Sequence, residues 1–149
     1  GPRSRFERRA QQLCVVQSVW FGGRRPDFTR CYGAGDLFVL PTVYEPFPNV
    51  NLEAMACGLS VVTTTTAGGV DLVEPGRTGY LVDDPSDSSA LSACLRQFQA
   101  LSATERQAMS RACCQVASGR SFEATVTATE TMLQEVCHEL SNQAGSQAA

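Results

Sequence analysis

Lysine and isoleucine are both missing from these 149 residues, and histidine and tryptophan occur once each, at His138 and Trp20. All twelve basic residues are therefore arginine, a compositional bias from which no chemistry is drawn. The longest apolar stretches, at 37–40 and 59–62, fall far below the 18 or more residues that a membrane-spanning helix needs. No charged start followed by an apolar run and a small-residue cleavage site marks a secretory signal. The seven cysteines form an odd, scattered set with no C-x-x-C pair and a single histidine to help them. That excludes a disulfide framework or a structural zinc site and points to free thiols in a reducing, cytoplasmic setting, most of them acting as small hydrophobes.

What is present reads as one soluble domain, with 43% hydrophobic and 18% charged residues, enough to bury a core. The net charge of -3 conceals an asymmetry: residues 1–30 carry seven arginines against Glu7 and Asp27, and the remainder carries five arginines against thirteen acids. A basic segment on an acidic body suits a local anionic ligand or an acidic surface as well as a solvated helix face. It does not suit a nucleic-acid module, because the aromatic residues that interleave with basic ones in single-strand binders are missing.

Short apolar runs bounded by glycine and proline alternate with longer amphipathic stretches, the pattern of βα units around a parallel sheet. The expected fold class is α/β. Helices are predicted at 4–13, 27–33, 50–57 and 70–74, and strands at 18–21, 37–40, 61–63 and 79–82. Beyond the turn at 83–87 the pattern is helical, at 88–101, 103–118 and 122–140. The domain is predicted to end near residue 140, and the small, polar residues 141–149 read as a disordered tail.

The informative stretch runs from Pro41 to Gly58. It leaves a strand and opens a helix, which places it at the carboxyl edge of a parallel sheet, where open α/β folds bind ligands. Asn49 is the predicted N-cap, leaving the amides of Val50, Asn51 and Leu52 free to hold a phosphate or diphosphate. Glu45 and Glu53 frame the loop, and an ionised carboxylate accepts hydrogen bonds from sugar hydroxyls. Taken singly, Glu45 could as well be an exposed loop residue and Glu53 a carboxylate favoured by the helix dipole.

The spacing Glu45-x7-Glu53, continued by Ala54-Met55-Ala56-Cys57-Gly58-Leu59, resembles the retaining glycosyltransferases built from two Rossmann-like domains, the GT-B fold. The segments Phe21-Gly22-Gly23-Arg24-Arg25-Pro26-Asp27, Gly35-Asp36-Leu37-Phe38-Val39-Leu40-Pro41, Gly68-Gly69-Val70-Asp71 and 74–82 look like the C-terminal, nucleotide-binding domain of that family. Around Tyr44-Glu45-Pro46-Phe47-Pro48-Asn49-Val50 the likeness is to the glucosyltransferases of lipopolysaccharide cores. The resemblance implies a Rossmann-like parallel sheet flanked by helices. It also implies that a nucleotide-diphospho-sugar donor, UDP-linked in preference, hands a hexose to a glycan or glycolipid acceptor. By position, Glu45 approaches the transferred sugar or the acceptor and is the catalytic candidate, and Glu53 hydrogen-bonds the ribose. Phe47, Pro48, Asn49, Val50 and Asn51 line the donor, and Gly23, Arg24 and Arg25 lie near the base or its phosphates. Such a site stabilises its leaving group with amides and basic groups rather than a metal. No Asp-x-Asp occurs, Asp83 and Asp84 being adjacent in a turn, so neither metal nor cofactor is expected.

Two departures bear on the donor loop: Ser60 stands where the family usually has proline, and Asp71 where it usually has glutamate. The resemblance begins where the family's second strand would have ended, so the first two strands and the acceptor domain are expected to be lacking. The gap would fall between 18–21 and 37–40 and would favour self-association or a complementary chain. The isolated chain is then expected to be inactive, and the alternative reading is a truncated nucleotide-binding or assembly module. A cytoplasmic location, peripheral at the inner face of a membrane, fits either reading.

Overall fold

The computed structural model describes residues 3–25 and 29–147, and the chain divides into two compact units, 1–31 and 32–149. In the first, α1 (Arg3–Gln12) is followed by a 3-10 turn at Val16–Ser18. The strand expected at 18–21 does not form. A strand exists through its ladder bonds, and no described segment pairs with these residues. Val19 and Trp20 are instead exposed, Trp20 to 74%.

The second unit begins within α2 (Thr29–Tyr32), shorter than the helix expected at 27–33, whose start lies outside the described residues. It is built on three parallel strands in the order β1 (Leu37–Leu40), β2 (Ser60–Thr64) and β3 (Gly79–Val82). Leu37 pairs with Ser60 and Leu40 with Thr63, while Val61 pairs with Gly79 and Thr64 with Val82. Every residue of β2 is buried, as befits a central strand covered on both faces. Its alternation sends Val61 into a cluster with Tyr32, Met55, Leu72 and Cys113, and Val62 into another with Tyr80, Phe98 and Met109.

The first cluster is closed by α3 (Asn49–Ala56) and α5 (Ala103–Ser118), the second by α4 (Ser88–Ala100) and the start of α5. Both long helices are locally specified. Asp87 caps α4 by accepting from the Ser89 and Ala90 amides at 2.8 and 2.9 Å. Ser102 and Glu105 form a reciprocal capping box on α5, the Glu105 carboxylate accepting from the Ser102 amide at 2.7 Å. Those hydrogen bonds hold the Glu105 carboxyl below the usual carboxylate range.

Residues 70–74, expected as a helix, make only a 3-10 turn at Val70–Leu72. α6 (Phe122–Gln147) continues past residue 140, where a helix end is expected, and runs through Gly145 with no proline to interrupt it. The cysteines are free thiols, but five of the seven are exposed and only Cys94 and Cys113 are buried. Apolar neighbours in sequence therefore overstate their burial. No helix among the described residues is long and apolar enough to cross a membrane.

Candidate functional site

The loop between β1 and α3 is fastened to the strand beside it. Thr63 donates its hydroxyl to the Leu40 carbonyl at 3.0 Å, and Thr64 and Thr66 both donate to the Thr42 carbonyl, at 2.6 and 3.3 Å. Thr63, Thr64 and Thr66, which carry no signal in the sequence, are thus the clamps of this loop. Farther along, Glu45 bridges Ala67 and its carbonyl accepts from the Gly68 amide at 2.7 Å. A Cβ at position 68 would lie 1.4 Å from the Pro46 carbonyl oxygen, so only glycine permits this approach. Gly69, at φ 69°, lies under the Phe47 ring, where a Cβ would come within 2.9 Å of it. The 68–69 pair thus supports the loop despite Asp71, whose carboxylate is engaged 3.1 Å from Arg120. At the other departure, Ser60 is buried beside Cys113, whose thiol burial pushes up to about 11 against the pull of the Ser60 hydrogen bond.

The helix that follows starts one residue earlier than expected. Pro48 is its N-cap and Asn49 its first residue, so Asn49 is not the cap, and no side chain caps the helix at all. The Asn51 amide is not free either: it donates to the Pro48 carbonyl at 2.9 Å. The amides of Asn49 and Val50 precede the first intrahelical donors and are the ones geometry leaves for an outside acceptor. Asn51 itself is only 1% exposed, with Oδ1 lacking a hydrogen-bond partner. Together with Ala54 and Met55 it forms the buried side of α3.

Glu45, Phe47, Asn49, Val50 and Glu53 are all exposed, and Pro48 is buried. The Glu53 carboxylate accepts a hydrogen bond from the Tyr32 hydroxyl at 2.9 Å, a contact between residues 21 positions apart that the sequence does not announce. Gly23, Arg24 and Arg25 belong to the first unit. There Arg25 donates to the Gly22 carbonyl at 2.9 Å and lies 5.3 Å over the Trp20 ring, and Gly23 has φ 66°. The second unit thus assembles Glu45 through Glu53 within itself. Among the described residues no three His, Cys, Asp or Glu side chains converge into a metal-binding group.

A parallel sheet flanked by helices, with a loop pinned at its carboxyl edge before an uncapped helix, is the C-terminal half of a GT-B glycosyltransferase. Residues 1–100 match the family Glycosyl transferases group 1, and the chain belongs to that family. It is 48% identical over 65 residues to the alpha-maltose-1-phosphate synthase of Mycolicibacterium smegmatis, a match covering 43% of this chain and 17% of that protein. Among solved structures it is similar to sucrose-phosphate synthase of Thermosynechococcus elongatus (27% identity, TM-score 0.78, 92% of this chain and 35% of that one). It is similar also to WaaG, a glycosyltransferase involved in lipopolysaccharide biosynthesis (27%, TM-score 0.73, 80% and 32%). A third is the Anabaena protein HepE, solved in complex with UDP and glucose (27%, TM-score 0.73, 93% and 36%). The chain thus spans about a third of these solved relatives and about a sixth of the curated one.

Proposed function

We propose that this chain is the donor-binding part of a retaining glycosyltransferase that takes a hexose from a UDP-linked donor. The observation that carries the reading is the pairing of an uncapped helix start with a carboxylate one turn farther on. The Asn49 and Val50 amides meet a diphosphate, and Glu53, held by Tyr32, meets the hydroxyls of the attached ribose. Glu45, whose backbone is fixed by the Gly68 amide, faces the transferred sugar. Phe47, Pro48 and Asn51 shape the loop between them, and Gly23, Arg24 and Arg25 contribute at the base or phosphates. HepE, a relative with the same fold, was solved with UDP and glucose, which favours uridine and a hexose.

In this reading catalysis is electrostatic. The bond from the sugar's anomeric carbon to the diphosphate loosens into an oxocarbenium-like state, amide dipoles and guanidinium groups steady the departing charge, and no metal takes part. The acceptor is a glycan or glycolipid presented by a second domain. The likeness to WaaG, a glycosyltransferase involved in lipopolysaccharide biosynthesis, favours a lipopolysaccharide-type acceptor, and a peripheral position at the cytoplasmic face of a membrane belongs to the same proposal.

Titration calorimetry of the full chain with UDP and UDP-glucose, with and without a chelator, tests this. Binding that survives chelation and weakens by about 1 to 3 kcal/mol in Glu53→Gln supports it, that being the range for hydrogen bonds to charged groups. An unchanged dissociation constant in the variant removes the ribose role. If the chain binds donor but neither hydrolyses nor transfers it, the truncated module is the correct description of the isolated chain.

A further inference from the structure

We propose that Tyr32 is a positioning residue for the donor site: its hydroxyl fixes the Glu53 carboxylate in the orientation that receives the ribose hydroxyls. The inference rests on the reading of Glu53 as the ribose-holding group. Three observations carry it. Tyr32 is 4% exposed and packs in the core cluster with Met55 and Leu72. Its ring meets Phe38 of β1 edge-on, with centroids 5.8 Å apart and planes at 69°. Its hydroxyl reaches the Glu53 carboxylate at 2.9 Å. The donor is thus anchored by the core and cannot follow the carboxylate, whereas Glu53 projects from the exposed side of α3 on a flexible side chain.

A glutamate free to sample its rotamers pays conformational entropy when a ligand immobilises it. Tyr32 removes that cost before binding by occupying one oxygen, Oε2, and leaving lone pairs on both oxygens for hydroxyl donors. It gives Glu53 a fixed geometry without neutralising its charge, which an arginine partner would do. The consequence is selectivity: the contribution belongs to the ribose hydroxyls and to no other part of the nucleotide.

The full chain is titrated with UDP and with 2′,3′-dideoxy-UDP, in the wild type, Tyr32→Phe, Glu53→Gln and the double variant. The wild type is expected to prefer UDP. Tyr32→Phe keeps the ring and its edge contact, so its melting temperature stays near wild type while the preference falls about three- to tenfold, the effect of one hydrogen bond. In the Glu53→Gln background the same change adds nothing further.

A preference unchanged in Tyr32→Phe but abolished in Glu53→Gln overturns the positioning role and leaves the ribose reading intact. Absence of a preference in the wild type, or one that Glu53→Gln does not reduce, overturns the ribose reading itself. A merely structural tyrosine would lower stability and weaken both ligands alike. Should Tyr32→Phe fail to fold, hydroxyl-proton exchange at Tyr32 decides: protection in the wild type that disappears in Glu53→Ala supports the inference, and fast exchange in the wild type refutes it.

Discussion

Glu45 and Glu53 lie eight positions apart, yet the molecule holds them by different means. Glu53 is steadied through its side chain and Glu45 through its backbone, the latter leaving its carboxylate exposed in the loop. If Glu45 contacts the reacting sugar, its contribution belongs to the transition state more than to the bound donor. Glu45→Ala, in an enzyme that joins this domain to an acceptor domain, is therefore expected to lower kcat by more than it raises the donor KM. Steady-state kinetics checks this, and a raised KM with kcat intact would mean ground-state binding alone. The pair itself is legible in the sequence because spacing and residue type suffice to find it. Tyr32 is not, since only the packing of its ring against Phe38 and the core beneath α3 brings its hydroxyl to position 53.

Among the elements, strands and helices that carry their own signals follow the sequence closely: β1, β2 and β3 by their apolar runs, α4 and α5 by their caps. Three features that the sequence does not give share one cause. The strand expected at 18–21 needs a neighbour to pair with, the helix start at Pro48 was set by the loop rather than by a capping side chain, and the threonine clamps depend on which strand lies alongside. Such features are properties of pairs of segments and cannot be read from one.

Two predictions belong at this level. Gly68→Ala forces a Cβ into the Pro46 carbonyl, so thermal denaturation should show a loss of about 1 to 3 kcal/mol, as overpacking does, with weaker UDP binding beside it. A variant of wild-type stability and affinity would show that the loop is free to yield. The second concerns Glu105, whose folded-state carboxyl is depressed by the Ser102 hydrogen bonds. Its contribution is complete above the unfolded carboxylate pKa, about 4.3, and is lost as pH falls through the lower folded value. The melting-temperature gap between wild type and Glu105→Gln should therefore stay constant from neutral pH to about 5.5 and close in stronger acid. A gap that persists at low pH would show that the carboxylate's charge is irrelevant to the cap.

Across the molecule, apolar surface is unevenly placed. Phe6, Leu13, Val16, Val19 and Trp20 are exposed in the first unit, and β1 borders the sheet with Val39 exposed. Surface of this kind, with a sheet edge that no described residue pairs, favours association. Sedimentation should show mass rising with concentration, and a polypeptide that supplies strands beside β1 should suppress the rise and sharpen thermal unfolding. A compact monomer at every concentration would contradict this and mean that the surface is covered within the chain.

The hydrogen bonds that the neighbouring strand and turn give to the loop before α3 end on main-chain carbonyls: those of Leu40, Thr42 and Glu45 receive the hydroxyl and amide donors. The side chains of Val43 and Tyr44, each 76% exposed, hold none of that architecture in place. Shape and identity are thereby uncoupled, so a lineage can rewrite what the loop displays while inheriting the socket unchanged. A diverging family would find its new specificities here at little cost to the fold.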